Sequence, residues 1–76
     1  MKRAIALVKC EENKIPLVRR ALNALARDEG DIEFDEILGR YDFLVRLKGD
    51  DELLVLKFFS LKNINGIKEV VELLPR

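Results

Sequence analysis

The chain predicts an α+β fold of βαββαβ order, a four-stranded antiparallel sheet with both helices on one face. Three observations predict it. Apolar residues run at strand spacing, switch to helical spacing and switch back, twice over. The four glycines, Gly30, Gly39, Gly49 and Gly66, fall at the boundaries of these segments. The 76 residues suffice for one domain and not for two, so residues 1–76 must share one core.

The first segment, Ala4-Ile5-Ala6-Leu7-Val8, is continuously apolar and ends at Lys9-Cys10. Apolar residues on both parities mean a strand covered on both faces, hence central in its sheet. Glu11-Glu12-Asn13 breaks the pattern; Asn13 is the expected N-cap and Pro16 sits in the first helical turn. Ile15, Val18, Leu22 and Leu25 then recur at helical spacing, with Arg19, Arg20, Asn23 and Arg27 on the wet side and Gly30 as the stop. Residues 32–38 read as a strand with Glu33 and Asp35 on one side and Ile32 and Phe34 on the other. Gly39-Arg40-Tyr41-Asp42 reads as a turn, and residues 43–48 as a strand with Phe43, Val45 and Leu47 on one side. Gly49-Asp50-Asp51 opens a second helix, one Asp capping it and acids lying at the positive end of its dipole. That helix carries Leu53, Leu54, Leu56, Phe58, Phe59 and Leu61, apolar on more than one face, so more than the sheet should cover it. Asn63-Ile64-Asn65-Gly66 ends it, and residues 67–74 form the last strand before Pro75.

Right-handed crossovers then give a ferredoxin-like sheet with the first and third strands central. Setting Leu38 opposite Phe43 pairs Asp35 with Arg46 and Glu33 with Lys48 on the face away from the helices. The same register points Glu36 toward the helices. Ile5, Leu7, Ile37, Leu44 and either Val70 and Leu74 or Val71 and Leu73 are left facing water. Such a patch on a small domain is usually an interface, so a two-fold homodimer through this face or the neighbouring strand edges is expected.

Composition points the same way. Chains this short commonly need disulfides, a metal or a partner subunit to be stable. One cysteine and no histidine leave no internal disulfide and no zinc site, and no cofactor is expected. Fourteen basic against fourteen acidic residues is the wrong balance for direct nucleic-acid binding. The opening apolar run is too short for a secretory signal, and no run is long enough for a membrane span, so a cytoplasmic location with no membrane partner is expected. A charged fraction of 37% is compatible with heat adaptation.

The stretch Glu36-Ile37-Leu38-Gly39-Arg40-Tyr41-Asp42-Phe43-Leu44-Val45 resembles the ligand-binding (RAM) domain of the Lrp/AsnC family, where a strand ends in glycine, a variable residue and Tyr-Asp before an apolar strand. Asn63-Ile64-Asn65-Gly66-Ile67-Lys68 is similar to that family's Pro-Gly-Val segment, with Asn65 in place of the proline, and Ala6-Leu7-Val8-Lys9-Cys10 fits its opening strand. Glu69, Val70, Val71 and Glu72 stand where the family often has Ser or Thr. The resemblance spans essentially the whole chain. It implies a stand-alone form without the family's DNA-binding helix-turn-helix, sheet-mediated dimers, larger homo-oligomers, and an amino-acid effector bound between dimers near the Gly39, Arg40, Tyr41 and Asp42 turn. Full-length Lrp/AsnC relatives are the implied co-assembly partners in transcription regulation.

Read physically, Gly39 and Asp42 are ordinary turn formers, which alone explains their presence. A ligand site would ask more of them: donors for a carboxylate from Arg40 or turn amides, an acceptor for an ammonium from Asp42, and Tyr41 as cover. Cys10 reads as a buried, inert thiol. Glu33, Asp35 and Glu36 read as strand-surface acids with nothing converging on them, so no catalytic centre is expected. An ACT-like regulatory domain shares the element order but has its ligand-contacting glycine after the first strand, where Glu11-Glu12-Asn13-Lys14 stands here. A dimeric ferredoxin-like barrel enzyme usually carries a histidine or another polar pocket group, and this chain has no histidine.

Overall fold

A computed structural model describes residues 2–73. Its elements run β1 (Lys2–Cys10), α1 (Ile15–Glu29), β2 (Ile32–Glu36), β3 (Phe43–Gly49), α2 (Asp51–Lys62) and β4 (Ile67–Leu73). All strand pairs are antiparallel, in the order β2-β3-β1-β4, so the first and third strands are central as their patterning requires. Ala4, Ala6 and Val8 of β1, Phe43, Val45 and Leu47 of β3, and Ile32 of β2 form the buried floor of the core. Val18 and Leu22 of α1 and Leu54, Phe58 and Leu61 of α2 close it from one side, and a T-shaped contact of Phe34 with Phe43 extends it toward the β2 edge.

The helix ends follow from their sequences in different ways. Asp50 caps α2: its Oδ1 accepts from the Leu53 N–H at 2.8 Å, and Asp51 and Glu52 fill the first turn. For α1 the N-cap is Lys14, with no side-chain cap bond, rather than Asn13. Asn13 instead takes a left-handed conformation (φ 66°), a geometry asparagine tolerates, in the turn closed by Lys14 N–H donating to Glu11 O. Gly30, also left-handed, ends α1 and donates its N–H to Ala26 O.

The hairpin register is displaced by two residues from the expected one. Glu36, not Leu38, lies opposite Phe43, and Glu33 lies opposite Arg46. A two-residue slip keeps every side chain on its face, so Phe43, Val45 and Leu47 remain in the core. Strand β2 ends at Glu36 and the connection lengthens to residues 37–42, closed by Ile37 N–H donating to Asp42 O. The far end of this connection is held by β1: Asp42 donates its N–H to Val8 O at 2.8 Å, which extends the β1–β3 pairing by one residue. Glu36 does point to the helix side, where it meets Arg19 of α1 at 2.7 Å at the sheet edge. Glu33 and Asp35 both bind Arg46; Lys48 is not the partner of Glu33.

At β4 the register resolves the remaining alternative. Ile5 faces Leu73 and Leu7 faces Val71, so Val71 and Leu73 share the open face, while Val70 packs on the core. Leu74 lies outside the described residues. A bulge between Lys9 and Cys10 leaves Lys68 extra and turns Ile67 inward with Val70.

Gly66 joins this end of the sheet to α1. Its φ is +101°, and a Cβ there would sit 2.9 Å from Lys14 Cβ and 3.1 Å from Val18 Cγ2. Gly66→Ala is therefore expected to cost about 1–3 kcal/mol from backbone strain and crowding. Asp50→Ala should cost about 1 kcal/mol through the lost cap. Urea unfolding of both variants checks the order: Gly66→Ala with wild-type stability would contradict the close approach.

Candidate functional site

The loop between β2 and β3 holds the four expected site residues together at one end of the sheet. Gly39 has φ +109°, which its neighbours could not adopt without strain, and nothing lies within 4 Å of where a Cβ would stand. Its requirement is therefore purely backbone. Leu38 is fully exposed at the tip. The Arg40 guanidinium lies 5.7 Å from the centre of the half-buried Tyr41 ring, and the Arg40 carbonyl accepts from Lys9 Nζ at 2.9 Å. Lys9 thus ties β1 to the loop, and the first-strand pattern hid this because Lys9 reads only as the end of an apolar run.

Asp42 is committed to the sheet. Besides its N–H to Val8, its Oδ2 accepts from Cys10 N–H at 2.7 Å, supplying a partner for the last backbone donor of β1. The Cys10 thiol is pushed up to about 11, first by burial and then by the charge and hydrogen bond of Asp42. It is thus a protonated core side chain at neutral pH and no nucleophile.

The face of the sheet opposite the helices carries an apolar centre. The register brings Leu7 between Leu44 and Val71, and Ile5 beside Leu73. Ile5 and Leu73 are exposed, and Leu7, Ile37, Leu44 and Val71 are half-buried. A charged bank borders this centre on the β2 side, where Arg46 Nη1 meets Asp35 at 2.6 Å and Nη2 meets Glu33 at 3.4 Å. Asp35 and Glu33 shift the Arg46 guanidinium further toward its charged form. Arg3 and Lys48 stand directly opposite each other across β1 and β3, and neither has an ion pair among the described residues. They line, with Ile5, Asp31, Glu33 and Arg46, a groove of about 440 Å³. It lies at the other end of the sheet from the loop. The four loop residues come together at the opposite end, and none of them lines this groove.

Solved structures share this architecture. FFRP-DM1 matches over 100% of both chains at 19% identity, with a TM-score of 0.79. TTHA0845 from Thermus thermophilus matches over 100% of this chain and 94% of its own at 22% identity, TM-score 0.77. Hypothetical protein PHS023 from Pyrococcus horikoshii matches over 100% and 90% at 16% identity, TM-score 0.75. The chain has the ferredoxin-like fold of these small proteins. No family model and no curated protein matches it. Among the described residues no helix is long and apolar enough to cross a membrane.

Two measurements test the roles assigned here. Asp42→Ala should cost about 1–3 kcal/mol, because the Cys10 N–H loses its partner, whereas Arg40→Ala should leave stability nearly unchanged; urea unfolding separates them. The Cys10 thiol titrates higher in the folded chain (about 11) than at its ordinary 9.0, so its contribution to stability is complete below pH 9 and is lost as pH rises through 11. Between these values wild-type stability should fall more steeply than that of Cys10→Ala; parallel profiles would contradict the burial of the thiol.

Proposed function

We propose that this chain is an oligomeric regulatory module of Lrp/AsnC type that binds a small effector, an amino acid, and catalyses no reaction itself. The observation that carries the reading is the uncovered apolar centre of the sheet, Ile5, Leu7, Leu44, Val71 and Leu73. Aliphatic side chains in register across three strands of a small domain are an interface rather than scattered surface residues. A second copy on a two-fold axis covers them.

The effector site is the loop bearing Gly39, Arg40, Tyr41 and Asp42, walled by a neighbouring copy. Arg40 supplies a fork of donors suited to a carboxylate. Asp42 spends one acceptor position on Cys10, and a carboxylate has others for a ligand's ammonium. Tyr41 covers the aliphatic part. The hairpin sequence supports this assignment through its family resemblance, and the likeness in fold to FFRP-DM1 is compatible with it. Co-assembly with full-length Lrp/AsnC relatives in the cytoplasm would pass the effector signal to DNA-bound partners.

Titration calorimetry and thermal shift against each of the twenty amino acids test the reading. At least one is expected to bind, with Arg40→Ala weakening it about tenfold or more through the lost charge-assisted bonds. No heat and no change in Tm with any of them would overturn it.

A further inference from the structure

Helix α2 is apolar on two opposite sides. Leu54, Lys57, Phe58 and Leu61 form its buried stripe. Displaced by two positions, about 200° round the helix, lies a second stripe of Glu52, Val55, Leu56, Phe59 and Lys62. Val55, Leu56 and Phe59 in it are 53%, 62% and 60% exposed. Helix α1 shows no such outward stripe: its face away from the core carries Arg20, Asn23 and Arg27. Val55 and Phe59 line a shallow pocket with Phe58, Lys62 and Glu72 on the β4 flank of α2, and among the described residues none covers the exposed surface of Val55, Leu56 and Phe59.

The spacing and charge of the outer stripe identify its occupant. Glu52, Val55, Phe59 and Lys62 follow one another at intervals of three, four and three, the seam spacing of paired helices. The order is acid, apolar, apolar, base, with Leu56 on one flank. We propose that a second copy of this chain docks here, its α2 antiparallel to the first about a two-fold axis near position 57. That axis sets Val55 against the partner's Phe59 and Glu52 against the partner's Lys62, each pair occurring twice. A parallel pairing would instead oppose Glu52 to Glu52 and Lys62 to Lys62. The helix dipoles also favour the antiparallel arrangement. Glu52 has no ion pair among the described residues. Lys62 contacts Glu72 at 3.2 Å yet stays half exposed, and an ammonium has donors for two carboxylates.

This contact is separate from the sheet face and does not rest on the effector reading. Helix α2 has 12 residues and is about 18 Å long, so the seam is smaller than a standard stable interface. It therefore joins copies more weakly than the sheet face and separates first on dilution. With two different two-fold contacts per chain, sheet-face dimers join through α2 into larger assemblies.

Light-scattering mass, with circular dichroism to confirm folding, tests the proposal. Phe59→Glu and Glu52→Lys should each reduce the mass of the fully assembled protein to that of a dimer, and the charge exchange Glu52→Lys with Lys62→Glu, made together with Glu72→Lys to keep the intrachain pair, should restore it. Leu7→Glu, on the sheet face, should leave a pair joined through α2. Folded Phe59→Glu and Glu52→Lys variants that keep the wild-type mass would overturn the proposal, and so would a charge exchange that folds without recovering it. Loss of effector binding alone would leave all of these masses unchanged.

Discussion

Two helices can cover one face of a four-stranded sheet, and this chain has only two. Its central strand is nonetheless apolar on both sides. Ala4, Ala6 and Val8 point into the core, and Ile5 and Leu7 point away from it. The inner side is closed by α1 and α2 to the level of full burial at Val8, Val18, Leu22, Phe43 and Leu61. The outer side is left with Leu7 flanked by Leu44 and Val71. The hydrophobic effect acts on both sides alike, so in the proposed function the unfinished face is what would drive association. The proposed function depends on that asymmetry.

The polar features fit round it. Charges border the apolar centre: the Arg46 bank lies toward β2, and Lys9 sits opposite Glu69 at the loop end. The loop at that end is held by backbone and side-chain bonds from β1, through Val8, Lys9 and Cys10. Asp42 thereby ties the proposed effector loop to β1, the strand whose outer side carries Ile5 and Leu7. In the proposed function, a ligand that moved Asp42 or Arg40 would act directly on β1, a short physical path from the proposed site to the proposed interface.

Much of this was legible in the sequence because it follows from periodicity. The doubly apolar β1, the alternation of β3 and the acidic start of α2 predict the sheet order, the core face and an Asp cap on α2, which the fold assigns to Asp50. The hairpin register was not legible, since two registers two residues apart bury the same side chains. The far end of the lengthened connection is held by Asp42 bonding Val8 and Cys10, a contact between residues more than thirty positions apart. Glu36, unaccounted for by strand pattern, found Arg19 on a helix, again through tertiary placement. The bulge beside Lys9 decided between Val70 and Val71 for the open face, and no local signal marks it. For the loop, the sequence places its residues together, but the commitment of Asp42 to the sheet and the tie from Lys9 emerge only from the fold.

Everything turns on whether the outer layer of β1 meets water or another copy of itself. The most direct measurement is the light-scattering mass of the unaltered protein at low micromolar concentration. The account predicts a multiple of the 8.8 kDa chain mass, twofold or higher. A stable, folded particle of single-chain mass at that concentration would contradict it.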